Sequence, residues 1–232
     1  MIYELRQYTM RPGRRDALIE LFEREFIESQ EAAGMGVVGQ FRNLDDPDMY
    51  PWIRKFPDME ARRQALTTFY GGPTWKANRD AANATMLDSD NVLLLRPVPA
   101  ALLRSPATNP ADVDDPFPSR ERPGLGEGAA SSALYVATIY HVEDGFAGFF
   151  AERAVPELVE AGVPPIACFG TEHAENTFPA LPVRTGENVF VWFARFDSVE
   201  DERDPCLPAL EGRLTAPPER LRLAPTARSA LR

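Results

Sequence analysis

Lysine, histidine and cysteine are scarce in this sequence. Lysine occurs only as Lys55 and Lys76, and the 232 residues include two histidines and two cysteines. The net charge of −10 argues against nucleic acid or an anionic membrane as a partner, because both bind clusters of basic side chains. No apolar run approaches the roughly 20 residues of a membrane span, and no secretory signal is evident. We therefore expect a cytoplasmic protein with reduced cysteines, Cys168 and Cys206.

Motifs of common catalytic machinery are also missing. The sequence contains no G-x-S-x-G, P-loop, C-x-x-C or H-E-x-x-H motif, which argues against the commoner hydrolase, nucleotide and redox mechanisms. Neither His141 nor His173 has a partner at metal-ligand spacing, so we expect no metal and no other cofactor. His141 is either a general base or a surface histidine, and Cys168 is predicted to be a small core residue.

One sequence pattern occurs twice along the chain. I-Y-E-L-R-Q-Y-T-M-R-P-G at 2–13 matches L-Y-V-A-T-I-Y-H-V-E-D-G at 134–145, with two tyrosines and a glycine coinciding. Further on, W-I-R-K-F-P-D-M-E at 52–60 matches W-F-A-R-F-D-S-V-E at 192–200. In both copies, apolar residues at helical spacing separate short runs of strand type. Each copy is therefore predicted to fold as β-α-β-β-α-β, the ferredoxin-like arrangement.

The repeat divides the chain into a first domain at 1–100, a Pro/Gly-rich linker at 101–132, a second domain at 133–227 and a tail at 228–232. The linker's composition predicts that it cannot bury enough apolar surface to order itself. In each domain, helices cover one face of a four-stranded sheet and leave the other bare. We therefore predict an α+β protein whose two units pack sheet to sheet as an intramolecular pseudo-dimer. A homo-oligomer beyond this internal pair is compatible with the sequence.

Capping and breaking residues mark the predicted helix ends. Asp58 and Ser198 are predicted N-caps of the second helix in each copy. Pro156 is predicted to end or kink the first helix of copy two. In copy one, the sequence 71–73 breaks the second helix, and a new helix is predicted with Thr74 as its cap.

Five stretches of copy one carry a family signature. They are Y-E-L-R-Q-Y-T-M-R-P-G, V-V-G-Q-F, W-I-R-K-F-P-D-M-E-A-R-R, G-P-T-W and V-L-L-L-R-P. Together they resemble the NIPSNAP domain across about residues 1–99, and copy two resembles it more weakly. The resemblance implies the dimeric α/β-barrel superfamily, which includes cofactor-independent monooxygenases, haem-degrading enzymes and isomerases, but it implies no catalytic residues. Haem handling is disfavoured because copy one contains no histidine.

Strand alternation separates the first strand into two faces. Glu4, Arg6 and Tyr8 share one of these faces. Their equivalents in copy two are mostly neutral side chains: Val136, Thr138 and Tyr140. The residues that both copies share are therefore interpreted as structural, and those that differ as candidates for function.

A later strand of copy one places Trp52 and Arg54 on one face. If this face meets that of the first strand, Arg6 and Arg54 hold a carboxylate or enolate oxygen, while Tyr8 and Trp52 stack on an apolar body. Alternatively, Glu4, Arg6 and Arg54 pair with each other across the strands. The sequence leaves both interpretations open.

The stretch F-Y-G-G-P-T-W-K-A-N-R-D at 69–80 has no counterpart in copy two. The broken helix predicts a lid or pocket rim, with Trp75 and Arg79 facing a ligand. Alternatively, Trp75 plugs the end of the core.

The leading hypothesis is binding of a small, partly apolar organic anion in copy one, with cofactor-free conversion of a monooxygenase or isomerase type left open. Arg6 and Tyr8 are the catalytic candidates. The ligand-binding candidates are Glu4, Trp52, Arg54, Trp75 and Arg79. The competing hypothesis is a non-catalytic interaction or scaffold module. An enzyme predicts a water-accessible cavity in copy one and a filled one in copy two, whereas a scaffold predicts two filled cavities and an exposed apolar patch.

Overall fold

The computed structural model describes residues 1–103, 115–118, 120–129 and 131–232, so part of the predicted linker lies outside the described residues. The strands are Ile2–Met10 (β1), Gly36–Asn43 (β2), Met49–Phe56 (β3), Met86–Asp88 (β4), Val92–Pro97 (β5), Leu134–His141 (β6), Ala167–Thr171 (β7), Val189–Phe196 (β8) and Glu219–Pro225 (β9). The helices are Arg15–Leu21 (α1), Ile27–Ala32 (α2), Met59–Gly71 (α3), Pro73–Asn83 (α4), Ala100–Leu103 (α5), Phe146–Phe149 (α6) and Val155–Glu160 (α7). Shorter turns are π-helical at Phe22–Phe26 and Phe150–Ala154 and 3₁₀-helical at Pro208–Leu210.

Eight strands form a closed antiparallel barrel. Their order is β3-β2-β9-β6-β8-β7-β5-β1, and β1 pairs with β3 to close the ring, while β4 pairs with the end of β1. The order β5-β1-β3-β2 in the first half has its counterpart in β9-β6-β8-β7 in the second. The α+β class is therefore confirmed, in the form of a barrel with helices on its outside.

The two halves join at both edges of their four-stranded sheets. β2 pairs with β9 over Phe41–Asn43, and β5 pairs with β7 over Leu95–Pro97. An open sheet edge exposes unpaired N–H and C=O groups, and closing the barrel removes both edges of each half. The inner faces then meet inside the barrel. Side-chain patterns indicated the contact between faces but not this pairing of edges, because edge pairing uses backbone groups.

The barrel has one inner core and two outer cores. Tyr3, Leu5, Phe193 and Leu223 belong to the inner core, which receives side chains from both halves. The outer core of the first half lies under α1–α4, and that of the second half lies under α5–α7 and the 3₁₀ turn. β1 is therefore covered on both faces, and Thr9 is its one residue that is not fully buried. None of the helices in the described ranges has both the length and the hydropathy of a membrane span.

The predicted caps are right in one half and wrong in the other. Asp58 caps α3, since its carboxylate accepts a hydrogen bond from the backbone N–H of Ala61 at 2.8 Å. No helix follows Ser198 in the described chain, and its hydroxyl donates to Asp201 instead. The stretch D-P-C-L-P at 204–208 contains two prolines, which lack the N–H that a helix interior requires. The second helix predicted for copy two is therefore replaced by the 3₁₀ turn.

Two further helix predictions are modified by the structure. Gly72, not Thr74, is the N-cap residue of α4, and Pro73 takes the first helical position, where its missing N–H is not needed. Pro156 lies in the first turn of α7, directly after the π-helical turn Phe150–Ala154. The first helix of the second half therefore changes its winding at this point and then continues.

Part of the predicted linker fills the inner core. Phe117 is only 3% exposed, and its ring lies 5.2 Å from that of Phe193 and 6.3 Å from that of Tyr3. Asp115 accepts hydrogen bonds from Tyr3 and Lys55. The composition predicted that this segment could not order itself. Its described part is held instead by the barrel, because one aromatic side chain finds an apolar site there.

Replacing Phe117 with alanine should therefore destabilise the whole barrel. We expect a loss of about 3–5 kcal/mol in the free energy of unfolding, the usual cost of deleting a buried aromatic ring. Urea denaturation followed by circular dichroism would measure it. Leu125→Ala, at a 60% exposed leucine of the same segment, is the matched control, and an equal loss in both variants would contradict the role given to Phe117.

Candidate functional site

A buried ion cluster lies between the first-half sheet and α3. The Glu4 carboxylate accepts hydrogen bonds from Arg6, Arg54 and Arg62, each at 2.6 Å. Glu4 pairs directly with Arg54 across β1 and β3, and Arg6 lies two residues along β1 on the same face. All four residues are 0% exposed. The geometry brings four charged side chains together out of contact with water.

The charges in this cluster do not balance. Burial opposes ionisation of Glu4, but the three guanidiniums outweigh it and hold the pKa of this carboxyl below its usual range. Burial lowers the pKa of the Arg62 guanidinium, and the attraction of Glu4 only partly offsets this effect. Among the described residues, one carboxylate therefore serves three cations, which leaves two positive charges in excess.

Aromatic and polar groups surround the guanidiniums. Arg6 Nε donates to Tyr8 Oη at 3.0 Å, and Arg54 Nη1 donates to Gln30 Oε1 at 3.1 Å. The guanidiniums of Arg6 and Arg54 lie 5.5 and 5.1 Å from the centre of the Trp52 ring, within range of a cation–π interaction. Burial raises the pKa of Tyr8, which keeps its phenol neutral.

The sequence-predicted residues of β1 and β3 thus meet, but as an ion pair network. Glu4, Arg6 and Arg54 pair across the strands, which was one of the two interpretations, and Tyr8 and Trp52 lie beside them. Arg6 and Arg54 are both fully buried, so neither guanidinium is exposed to water in the part of the chain that the structure describes. The catalytic roles of Arg6 and Tyr8 stay predictions.

Arg62 was missed by the sequence analysis, although the sequence carries a signal for it. Arg62, Leu66 and Phe69 follow the four- and three-residue spacing of one helix face, and all three are buried. An arginine on an apolar face of a helix requires a buried partner. The sequence did not show that this partner is Glu4, because strand and helix meet only in the fold.

The two residues predicted for the pocket rim lie apart from the ion cluster. Trp75 is half-buried and contacts the rings of Phe26, Phe69 and Tyr70, with centroids 4.8–5.9 Å away. It therefore closes the end of an outer core. Arg79 makes an exposed pair with the neighbouring Asp80 at 3.4 Å. Their predicted roles toward a ligand stay untested.

A cavity of about 460 Å³ opens in the second half, in the corresponding place between sheet and helices. Its floor consists of outward-facing side chains of β6 and β8: Val136, Thr138, Tyr140, Trp192, Ala194 and Phe196. Leu207, Leu210 and Leu214 form part of its wall. This volume is in the range of small-molecule sites, about 300–1,000 Å³.

The cavity exists because small neutral residues replace the ion cluster. Val136 and Ala194 pair across β6 and β8 as Glu4 and Arg54 pair across β1 and β3. Thr138, two residues along the strand, takes the place of Arg6. Three large side chains are thus exchanged for three smaller ones, and the described residues of the second half contain no helix equivalent to α4. These differences are visible in the sequence, but the candidate site was predicted in the other half.

Charged groups lie at the mouth of this cavity. The exposed Arg203 donates to the carbonyl of Ala161 at 3.3 Å, and among the described residues it has no carboxylate within ion-pair distance. Arg220, in contrast, pairs with Glu202 at 2.9 Å. Inside the cavity, burial raises the pKa of Tyr140 to about 12, so its hydroxyl stays a neutral hydrogen-bond donor.

The remaining candidates are the two histidines and Cys168. His141 Nε2 lies 3.0 Å from Glu219, His173 is exposed, and Cys168 is buried as predicted, where burial raises the pKa of its thiol. Both cysteines are free thiols. No group of three or more His, Cys, Asp or Glu residues in the described ranges could hold a metal ion.

A second cavity of about 480 Å³ lies near the start of β2. Its wall carries several charged side chains: Glu31, Lys55, Arg120, Glu121 and Arg122. Arg122 already pairs with Glu31. This cavity lacks the continuous apolar floor of the first one.

Removing the charge of Glu4 should destabilise the protein strongly. Glu4→Gln leaves three buried guanidiniums without a carboxylate, and we expect a loss of about 3–5 kcal/mol in the free energy of unfolding. Urea denaturation at pH 7 would measure it. Glu60→Gln is the control, since Glu60 pairs with Arg63 on the exposed side of α3 and its loss should change stability little. Equal effects would contradict the role of the cluster.

The stabilisation by Glu4 should depend on pH. Its pKa is lower in the folded protein than the ordinary 4.5, so the stabilisation is present above pH 4.5 and is lost as the pH falls further towards the folded-state pKa. Unfolding free energies of the wild type and Glu4→Gln, measured from pH 7 to pH 3, should therefore converge at the acidic end. A constant difference across this range would argue against the depressed pKa.

Comparison with solved structures supports the barrel fold. A proposed monooxygenase from Lactobacillus acidophilus NCFM has a TM-score of 0.54 at 12% identity, over 97% of this chain and 93% of that chain. An anthrone oxidase-like protein also has a TM-score of 0.54, at 14% identity over 100% and 94%. A proposed monooxygenase from Fusobacterium nucleatum has a TM-score of 0.52 at 9% identity over 97% and 91%. At these identities the likeness shows the fold alone.

Sequence comparison assigns the first half to a family. The NIPSNAP family model matches residues 3–101, which span β1 to β5 and contain the whole ion cluster. The comparison with curated protein sequences found no significant match. The resemblance to the NIPSNAP domain, predicted from the five stretches of copy one, is thereby confirmed over residues 3–101.

Proposed function

We propose that this protein binds a small, partly apolar organic anion, and that the site is the second-half cavity rather than the first-half cluster. The observation that carries the proposal is the cavity itself, which is about 460 Å³ in volume and lies on an apolar floor. In the first half, the equivalent space is filled by charged side chains that bind each other. A ligand of modest size can enter the second half without displacing any pair of buried charges.

The polar groups of the cavity indicate the kind of ligand. Arg203 supplies a cation at the mouth without a carboxylate partner among the described residues, and such a group favours an anionic end. Thr138 and Tyr140 offer hydroxyl groups on the floor, while Trp192 and Phe196 offer aromatic surface. A ring or branched chain that bears one carboxylate fits this arrangement. Conversion without a cofactor is compatible with it, but binding is the function for which the geometry gives support.

We also propose that the two halves arose by duplication and form an internal pseudo-dimer. The matching strand orders support this idea, as do the π-helical turns Phe22–Phe26 and Phe150–Ala154, which follow the first helix in each half. One half would then be free to lose its buried charges and open a cavity. The first half keeps the charges and stabilises the barrel.

A thermal-shift screen would test the proposed site. The probes are the aliphatic carboxylates cyclohexanecarboxylate and hexanoate, each compared with its neutral amide. At least one carboxylate should raise the melting temperature of the wild type, and the amides should do so less. Ala194→Phe fills the floor of the cavity and should abolish the shift. Arg203→Gln should weaken binding about tenfold, the effect of roughly 1.4 kcal/mol.

Ala81→Phe makes the same substitution at an exposed position of α4 and is the matched control. It should keep the ligand-induced shift. The proposal fails if no carboxylate stabilises the wild type, or if Ala194→Phe responds to the probes as strongly as the control does.

A further inference from the structure

A long loop of the second half covers the ion cluster of the first half. The loop 172–188 connects β7 to β8 and contains no helix or strand. It exceeds the roughly 12–15 residues above which such loops are uncommon and usually functional. The corresponding connection in the first half, 44–48, is short. The length of this loop therefore indicates a role beyond joining two strands.

Several contacts hold this loop against the first half, among them those of Asn176, Phe178 and Leu181. Asn176 Oδ1 accepts a hydrogen bond from Arg62 Nη1 at 3.0 Å. Phe178 stacks on Tyr70, with ring centroids 5.9 Å apart and planes inclined by 29°. Leu181 packs against the same outer core. The loop thus places an amide oxygen on the guanidinium of Arg62 and an aromatic ring on the ring of Tyr70.

The guanidiniums below the loop are incompletely bonded. Arg54 Nη2 and Arg62 Nη2 are buried without a hydrogen-bond partner in the described structure, although both residues are 0% exposed. A neutral amide oxygen satisfies one N–H group of Arg62 but supplies no negative charge. Buried cations of this kind are stable only when anions or several acceptors are near them. Among the residues that the structure describes, the cluster therefore lacks a second anion and two acceptor contacts.

We propose that the first half contains a second anion site, and that the loop 172–188 occupies and closes it by presenting Asn176 and Phe178 in place of a ligand. The ligand is an aromatic carboxylate. Its carboxylate takes the place of Asn176 Oδ1 on Arg62 and meets the unpartnered Nη2 groups of Arg62 and Arg54. Its ring takes the place of Phe178 on Tyr70. When the ligand binds, the loop moves away from the cluster, and its half-buried residues become exposed to solvent.

This site differs from the second-half cavity in position and in mechanism. The cavity is open and needs no rearrangement to bind a ligand. The covered site, in contrast, can bind a ligand only in those protein molecules in which the loop has moved away. Its apparent affinity is then the intrinsic affinity multiplied by the fraction of molecules that are open. Weakening the loop contacts should therefore strengthen binding, which is the opposite of what loss of a merely structural contact would do.

Titration calorimetry with benzoate would test the proposal in the Ala194→Phe background, where the second-half cavity is filled. Asn176→Ala and Phe178→Ala should each raise the benzoate affinity several-fold, because they remove the groups that compete with the ligand. Arg62→Gln should lower it at least about tenfold, since it removes a charge-assisted hydrogen bond. Arg62→Lys keeps the charge and should give an intermediate affinity.

Thr185→Ala is the matched loop control, because Thr185 is exposed and makes no contact with the cluster. Its benzoate affinity should equal that of the background. Benzamide, which is neutral, should not bind to any of these variants. Trypsin cleavage after Arg184, within the loop, should become faster when benzoate is added.

Two results would overturn the proposal. One is an unchanged or weaker benzoate affinity in both Asn176→Ala and Phe178→Ala, with folding verified by circular dichroism. The other is equal binding of benzoate and benzamide. Because Ala194→Phe is present throughout, either result would leave the proposal for the second-half cavity unaffected.

Discussion

Pairing of sheet edges is the constraint on which this structure depends. Each half supplies four strands whose edge backbone groups would face water or another chain if they were left alone. β2 with β9 and β5 with β7 satisfy these groups within one chain. Closure directs one face of every strand into a shared inner core and leaves the other face for helices. Both candidate sites lie on this outer face, because it is there that sheet and helices can separate.

Equivalent positions on the outer faces of the two half-sheets are occupied by different side chains. In the first half, Glu4 and its three arginines bind each other and exclude water. In the second half, Val136, Thr138 and Ala194 leave an open cavity. A buried ion network is sensitive to loss of any one member, whereas small apolar residues can be replaced with less effect. The framework therefore tolerates change in the second half more readily than in the first.

The α+β class and the NIPSNAP resemblance of the first half could be predicted from the sequence, because they follow from periodic apolar residues and from motifs. The sequence also predicted which side chains of β1 and β3 share a face, as Glu4 and Arg54 show. It did not predict Arg62 as their partner or the cover over them by Asn176, since both contacts join segments that are distant in sequence. Nor did it predict the burial of Phe117, because composition describes a segment by itself and not the barrel that receives it. The candidate site was predicted in the first half, whereas the cavity with the apolar floor lies in the second, because polar side chains suggest a site but also fill space.

The junction between β2 and β9 has a consequence for how the molecule comes apart. β9 is the last strand in the chain, and it completes the sheet of the second half while holding the edge strand of the first. Detaching it would strip backbone partners from both halves at once. The two halves are therefore expected to melt as one cooperative unit, even though the family match lies in the first of them.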